Sequence, residues 1–305
     1  MKHNEWLTGI GYGLLAALIW GGFPVVTRLG VTHAALDAFD IAFIRFAVSG
    51  TLLLPVVLRR GVRTLHPAAI VLMVIGAGAP YILTVAAALS RAPVGYFALT
   101  PGSMIAFTAV LGRWIARETL SAARLTGIVT ILAGMALAAS DALSGAIGPF
   151  AVALFVLGGL LWAVYNVTTK HAAAGALHAT AIVSVGSALL YCPLYLVVRR
   201  GAVLHAPVAA IATQAIYQGV LMSVLALYCF SRAVVALGPA IGATFAALMP
   251  LLATLEAALL LGERPHAAAL AGIAIVTAGM IVSLMRRRPS GEPRAVAPTS
   301  PAANG

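Results

Sequence analysis

Long stretches of this chain carry no charge, and that feature decides the solvent in which it folds. No Asp, Glu, Lys or Arg occurs at 7–27, 67–90, 92–112, 142–169, 172–198, 206–231 or 265–285. A helix needs about 20 apolar residues to cross the hydrocarbon core of a bilayer, so each run predicts a membrane span. Three further stretches complete the set: 41–58 holds only Arg45, 125–140 is short but uncharged, and 233–262 holds only Glu256. Ten helices follow, with connections too short to hold a soluble domain. Apolar residues make up 62% of the chain and charged residues 9%, against about 45–50% and about 25% in soluble domains, so a water-soluble core is excluded. The expected fold class is an all-α polytopic membrane protein.

The ends of the chain are read in the same terms. The apolar run after MKHNEW is longer than the core of a secretory signal, which spans about 7–15 residues, so it reads as the first helix and no cleavage is expected. The segment 286–305, RRRPSGEPRAVAPTSPAANG, is too rich in Pro, Ser and Ala to form a core and reads as a disordered cytoplasmic tail. Cys192 and Cys229 fall inside spans and read as small apolar residues with no disulfide or redox role. With the N-terminus in the cytoplasm, thirteen of the nineteen Lys and Arg residues fall on the inner side and five on the outer, with Arg45 in the membrane. Positive residues favour the inner side, so this topology, with both termini cytoplasmic in an inner membrane, is the expected one. The net charge of +11 suits an anionic lipid surface and needs no nucleic acid to explain it.

The chain repeats itself. LIWGGFPVVTR at 18–28 returns as LLWAVYNVTTK at 160–170, pairing Trp20 with Trp162 and Arg28 with Lys170. SGTLLLPVVLRRG at 49–61 echoes SALLYCPLYLVVRRG at 187–201, and LSRA at 89–92 echoes FSRA at 230–233. The segment 116–137 matches 262–282, pairing Glu118 with Glu263 and AGM with AGM. The offsets stay between 138 and 145, which marks a duplicated five-helix unit. An odd number of helices makes the second copy enter the membrane from the opposite side, giving two inverted five-helix repeats with a site expected at their interface.

In this arrangement the chain resembles the drug/metabolite transporter superfamily, EamA type, with EamA repeats at 7–140 and 147–285. The resemblance rests on WGGFPVVTR in the first helix, FIRF around Arg45, and PLLATLEAALLLGERP with the following AGIAIVTAGM. The first repeat departs from the pattern: Ile105 stands where Pro250 stands in the second, and Pro101 with Gly102 comes one turn earlier. The resemblance implies an inner-membrane carrier of small metabolites, often an exporter of amino acids or related compounds.

Candidate site residues follow from polarity where lipid would reject it. The first helix carries Trp20, Phe23 and Thr27 at helical spacing around Pro24 and the pair Gly21 and Gly22, which weaken the backbone and permit close approach. Its repeat mate carries Trp162, Tyr165, Asn166 and Thr169. Tyr81, Thr100, Ser103, Gln214 and Gln218 are further candidates for a cavity lined by the first, third, fourth, sixth, eighth and ninth helices. Two charges lie within the membrane, Arg45 and Glu256, each about 7–10 Å inward from the outer surface at 1.5 Å per residue. Glu256 is read as seven residues before Glu263 on nearly the same helix face. It pairs with Arg45, titrates as a proton-coupling carboxylate, or reaches to the headgroups.

No HExxH, GxSxG or Walker loop occurs, which leaves metalloprotease, serine hydrolase and direct ATP chemistry without their residues, and no cofactor or metal is expected. The expected function is secondary transport of a small molecule by alternating access, with membrane lipid as the other partner and a homodimer as an option of its small-residue pairs. A lipid flippase, a non-transporting sensor and a membrane enzyme on the same fold are the alternatives.

Overall fold

The computed structural model describes residues 3–115, 117, 120–140, 145 and 147–284. Glu118 and the tail 286–305 lie outside the described residues. One set of helices comprises α1 (His3–His33), α2 (Ala38–Arg60), α3 (Pro67–Leu89), α4 (Val94–Ile115) and α5 (Ala122–Ala139). The second comprises α6 (Pro149–His171), α7 (Ala176–Arg199), α8 (Val208–Leu237), α9 (239–260) and α10 (Ala267–Leu284). Among the described residues nine of these are long and apolar enough to span a membrane, and α9 crosses in two pieces, Pro239–Ala247 and Met249–Leu260. The fold is an all-helical polytopic membrane bundle. Its outer surface is apolar: Leu189, Val197 and Leu259 are each at least 69% exposed, as a surface bathed in lipid requires.

Local chemistry sets the boundaries. Asp37 caps α2 in a capping box: its side chain accepts from the Asp40 amide, and the Asp40 carboxylate accepts from the Asp37 amide. His66 caps α3 ahead of Pro67, and Ser121 caps α5. The stretch 233–262, expected as one span, is divided differently. The preceding helix runs on to Leu237, and Gly238 at φ 88° makes the turn, a conformation a side chain would resist. The helix carrying Glu256 ends at Leu260, and Gly262 turns at φ 66°, so Glu263 lies in a connection and not on a shared face with Glu256.

Packing follows the duplication. α5 crosses α10, and α2 crosses α7, so the equivalent helices of the two halves meet each other. α1 packs against α8 and α9, and its mate α6 packs against α3 and α4. At the α5–α10 crossing four glycines meet, two on each helix and seven residues apart: Gly127 and Gly134, Gly272 and Gly279. A Cβ on Gly134 would come within 2.8 Å of the Gly272 carbonyl, and one on Gly279 within 2.8 Å of the Gly127 carbonyl. Two backbones therefore touch directly, the close approach that small residues allow in lipid. The GxxxG pair Gly9 and Gly13 also serves internal packing, against Leu237 and Phe245 respectively.

Both members of the α3–α8 pair are irregular at matching positions. α3 breaks at Gly78, where the Ala79 amide donates to the Ser187 hydroxyl (3.2 Å), and Pro80 follows. α8 opens into a π-helix from Ala215 to Leu225, around Gly219, which the repeat offset aligns with Gly78. Discontinuous helices at equivalent points of two halves mark where transporters place a site.

Candidate functional site

Between the halves lies a cavity of about 440 Å³. Its walls include Trp20 and Phe23 from α1, Tyr81 from α3, Thr100 from α4, and Trp162 and Tyr165 from α6. Six of the residues singled out by sequence thus face one space, with Arg45 as the seventh. α2, α7 and α10 also contribute, through Phe46, Ser184 and Met280, beyond the helices expected. Aromatic rings interlock around it: Tyr81 meets Trp162 edge-on at 4.6 Å between centroids, Trp162 meets Tyr165 at 5.6 Å, and Trp20 meets Phe230 at 5.0 Å. The cavity reaches toward the end of the bundle where α7 begins and α10 finishes, since Ala176 and Leu284 border it.

Arg45 is 8% exposed and is the one cation among the described lining residues. Its Nη1 donates to Gln218 Oε1 at 2.7 Å, while Nε has no partner. The guanidinium lies 5.6 Å from the Phe23 ring centre and 5.9 Å from that of Phe46. Behind it runs a polar chain: Gln218 Nε2 donates to the Thr27 hydroxyl (2.8 Å), which donates to the Phe23 carbonyl (2.7 Å). Gln214 donates to the Val26 carbonyl at 2.7 Å and extends the tie between α8 and α1. Thr27, Gln218 and Gln214 are therefore supports of Arg45 and of the α1–α8 contact, not part of the cavity wall. Ser103 bonds back to the Leu99 carbonyl at 2.7 Å, and neither Ser103 nor Asn166 lines the cavity. Gln218 lies in the π-helix, where the Ser223 hydroxyl donates to the Gln218 carbonyl at 2.9 Å, and Met222 of the same segment lines the cavity.

The ion pair between Arg45 and Glu256 is not formed. Equal depth brings two charges to one level but says nothing about which helix faces they occupy. Arg45 turns toward the cavity between the halves, whereas Glu256 turns toward α1 and α8. The Glu256 carboxylate lies against Gly21 and Gly22, where added Cβ atoms would stand 3.1 and 2.7 Å from its oxygens. The Tyr217 hydroxyl closes on Gly22 and donates to the Ile19 carbonyl at 2.9 Å. Glu256 Oε1 is buried with no hydrogen-bond partner. Tyr217 was not foreseen; its place beside a glycine of another helix leaves no mark in the sequence.

The other end of the bundle, where α1 and α9 finish, is held shut. Arg28 pairs with Glu263 and also donates to the carbonyls of Leu89 and Ala92 (2.8 Å to the latter), while the Val94 amide donates to Glu263 Oε2 at 2.7 Å. One ion pair thus ties α1 to the α3–α4 and α9–α10 connections. Phe97 backs it, packed edge-on between Phe23 and Phe155. Among the described residues no three His, Cys, Asp or Glu side chains converge as metal ligands would.

No curated protein matches the chain. Nineteen solved chains do; one crystal structure aligns with a TM-score of 0.57 over 92% of this chain and 96% of its own, at 20% identity, a likeness of fold. The sequence profile of the EamA-like transporter family matches residues 7–140 and again residues 149–285, once for each half of the bundle, and the chain therefore belongs to that family of drug/metabolite transporters.

Proposed function

We propose that this transporter is a secondary active exporter of small metabolites, working by alternating access in an inner membrane with both termini in the cytoplasm. The observation that supports this reading is the cavity between the repeats, open toward one end and shut at the other by the Arg28–Glu263 cluster. In an inverted repeat, the arrangement adopted by one half at one end is available to the other half at the opposite end, so one site can be offered to either side. The interlocked aromatic residues form the substrate wall, and Arg45 gives it polarity.

Trp20→Ala and Trp162→Ala are each expected to lower flux at least tenfold in reconstituted vesicles while leaving the yield of folded protein unchanged. Normal flux in both would remove α1 and α6 from the site. Proton coupling belongs to Glu256, which has an unpartnered oxygen and no neighbouring cation to hold its charge. Glu256→Gln is expected to make substrate-induced thermal stabilisation identical at pH 6 and pH 8 while retaining binding. Stabilisation that depends on pH equally in both forms would assign coupling elsewhere.

A further inference from the structure

We infer that the cavity takes a monoanion with an apolar or aromatic body, a carboxylate and not a zwitterion or an amine, and that Arg45 is the group that recognises it. This assignment rests on the carrier reading and names its substrate class.

The charge balance of the cavity carries it. Arg45 is a guanidinium nine-tenths buried at the cavity wall, and the described lining residues include no Asp or Glu. Its neighbours are an amide oxygen, two aromatic faces and the Tyr81 phenol, none of which is a carboxylate that would neutralise the cation. A buried charge left without a counter-ion is costly, and the carriers that keep one use it. A guanidinium edge with a free N–H matches the two oxygens of a carboxylate. Nε of Arg45 has no partner within the protein and is itself closed over, so a ligand reaches it only as the neighbouring side chains shift. The polar chain through Gln218 to Thr27 and the Phe23 carbonyl keeps the guanidinium aimed, and it uses one of the five N–H donors.

The remaining wall chooses among anions. A phosphate ester carries close to two charges and calls for more than one cation, whereas Arg45 stands alone among the described lining residues. An amino acid brings an ammonium that would need a carboxylate here, and none lines the space. Most of the wall is apolar or aromatic, with Trp20, Phe46, Phe97, Trp162 and Phe230 among the rings. About 440 Å³ lies within the range of small-ligand sites and accepts a single ring with a short chain. Glu256 does not alter this balance, because it faces the Gly21–Gly22 pair and Tyr217 and is not among the lining residues.

The test uses four matched probes on the purified full chain: 3-phenylpropanoate, 3-phenylpropanamide, 3-phenylpropylamine and phenylalanine, read by tryptophan fluorescence, since Trp20 and Trp162 form the wall. The carboxylate is expected to bind at least tenfold tighter than each of the other three. In Arg45→Gln that preference is expected to vanish while the amide binds as before. Ser184→Asp, which adds an acid to the same wall and leaves Arg45 in place, is expected to lose the carboxylate at least tenfold, so the result does not depend on Arg45→Gln folding. Tighter binding of the amine or of phenylalanine, survival of the preference in Arg45→Gln, or no binding by any of the four would each overturn the inference. Counterflow in proteoliposomes separates it from the carrier reading. Carboxylate binding without counterflow would sink the carrier and keep the site, whereas counterflow of the amine alone would do the reverse.

Discussion

Leucine at Gly134 or Gly272 is expected to prevent assembly of the folded bundle. Ordinary overpacking costs about 1–3 kcal/mol because neighbouring side chains can turn aside. Here the neighbours are backbone: a Cβ on Gly134 meets the Val276 amide nitrogen at 2.7 Å, and one on Gly272 meets the Ala138 nitrogen at 2.7 Å. Neither can yield without separating α5 from α10, a crossing at which backbones of the two repeats touch directly. The cost should exceed about 3 kcal/mol, the upper end of that range. Fluorescence-detected size exclusion after a heating series measures it, with folded protein lost or its midpoint strongly lowered. Gly11→Leu provides the control, since nothing lies within 4 Å of that position and the face is exposed. A Gly272→Leu variant as heat-resistant as Gly11→Leu would mean that the crossing is not where the halves are held.

The same crossing shows how far the sequence could be read. Apolar runs and their charged boundaries located the spans, because the bilayer imposes one length on every helix. The duplication foretold which helices are equivalent, and the structure pairs α5 with α10 and α2 with α7. Helix breaks were less legible. Gly238 was absorbed into a long apolar stretch because apolarity has no direction, whereas a positive φ is a property of one residue. Of the candidate site residues, the aromatic ones reached the cavity, since large amphipathic rings inside a membrane protein have few other places to go. The polar ones divided. Arg45 and Thr100 line the space, but Thr27 and Gln218 stand behind it, and Gln218 sits within the π-helix from Ala215 to Leu225, bonded to Arg45 of α2 and Thr27 of α1. A period of 3.6 residues cannot reveal such a segment. Arg28 and Glu263 were each visible as outer charges with repeat mates, yet their meeting across 235 positions is a fact of packing alone.

Glu263→Gln is expected to loosen the closed end of the bundle, and the effect should be large because the group it leaves behind is a cation. Side chains of Arg28 and Glu263 are 18% and 13% exposed, so removing the carboxylate strands a mostly buried guanidinium, a loss of about 3–5 kcal/mol for a well-buried pair and less here for the remaining solvent. The carbonyls of Leu89 and Ala92 still hold Arg28, but the single amide oxygen left can accept from the Val94 amide or from Arg28 and not from both, and the α9–α10 connection loses its charged tie to α1. A shift of about 1.4 kcal/mol between two states changes their ratio tenfold, so a closed end favoured by only a few kcal/mol would become open in a detectable fraction of molecules. A cysteine at Ala92, with Cys192 and Cys229 replaced by alanine, reports this through its rate of labelling by a membrane-impermeant maleimide. The rate should rise at least tenfold in Glu263→Gln and about as much in Arg28→Gln. The double variant should add little, because both changes remove the same interaction. Additive effects would mean that the two residues hold the end independently through their backbone contacts. An unchanged labelling rate in all three would show that the aromatic packing of Phe97 between Phe23 and Phe155 closes this end, with the ion pair serving only to stiffen it.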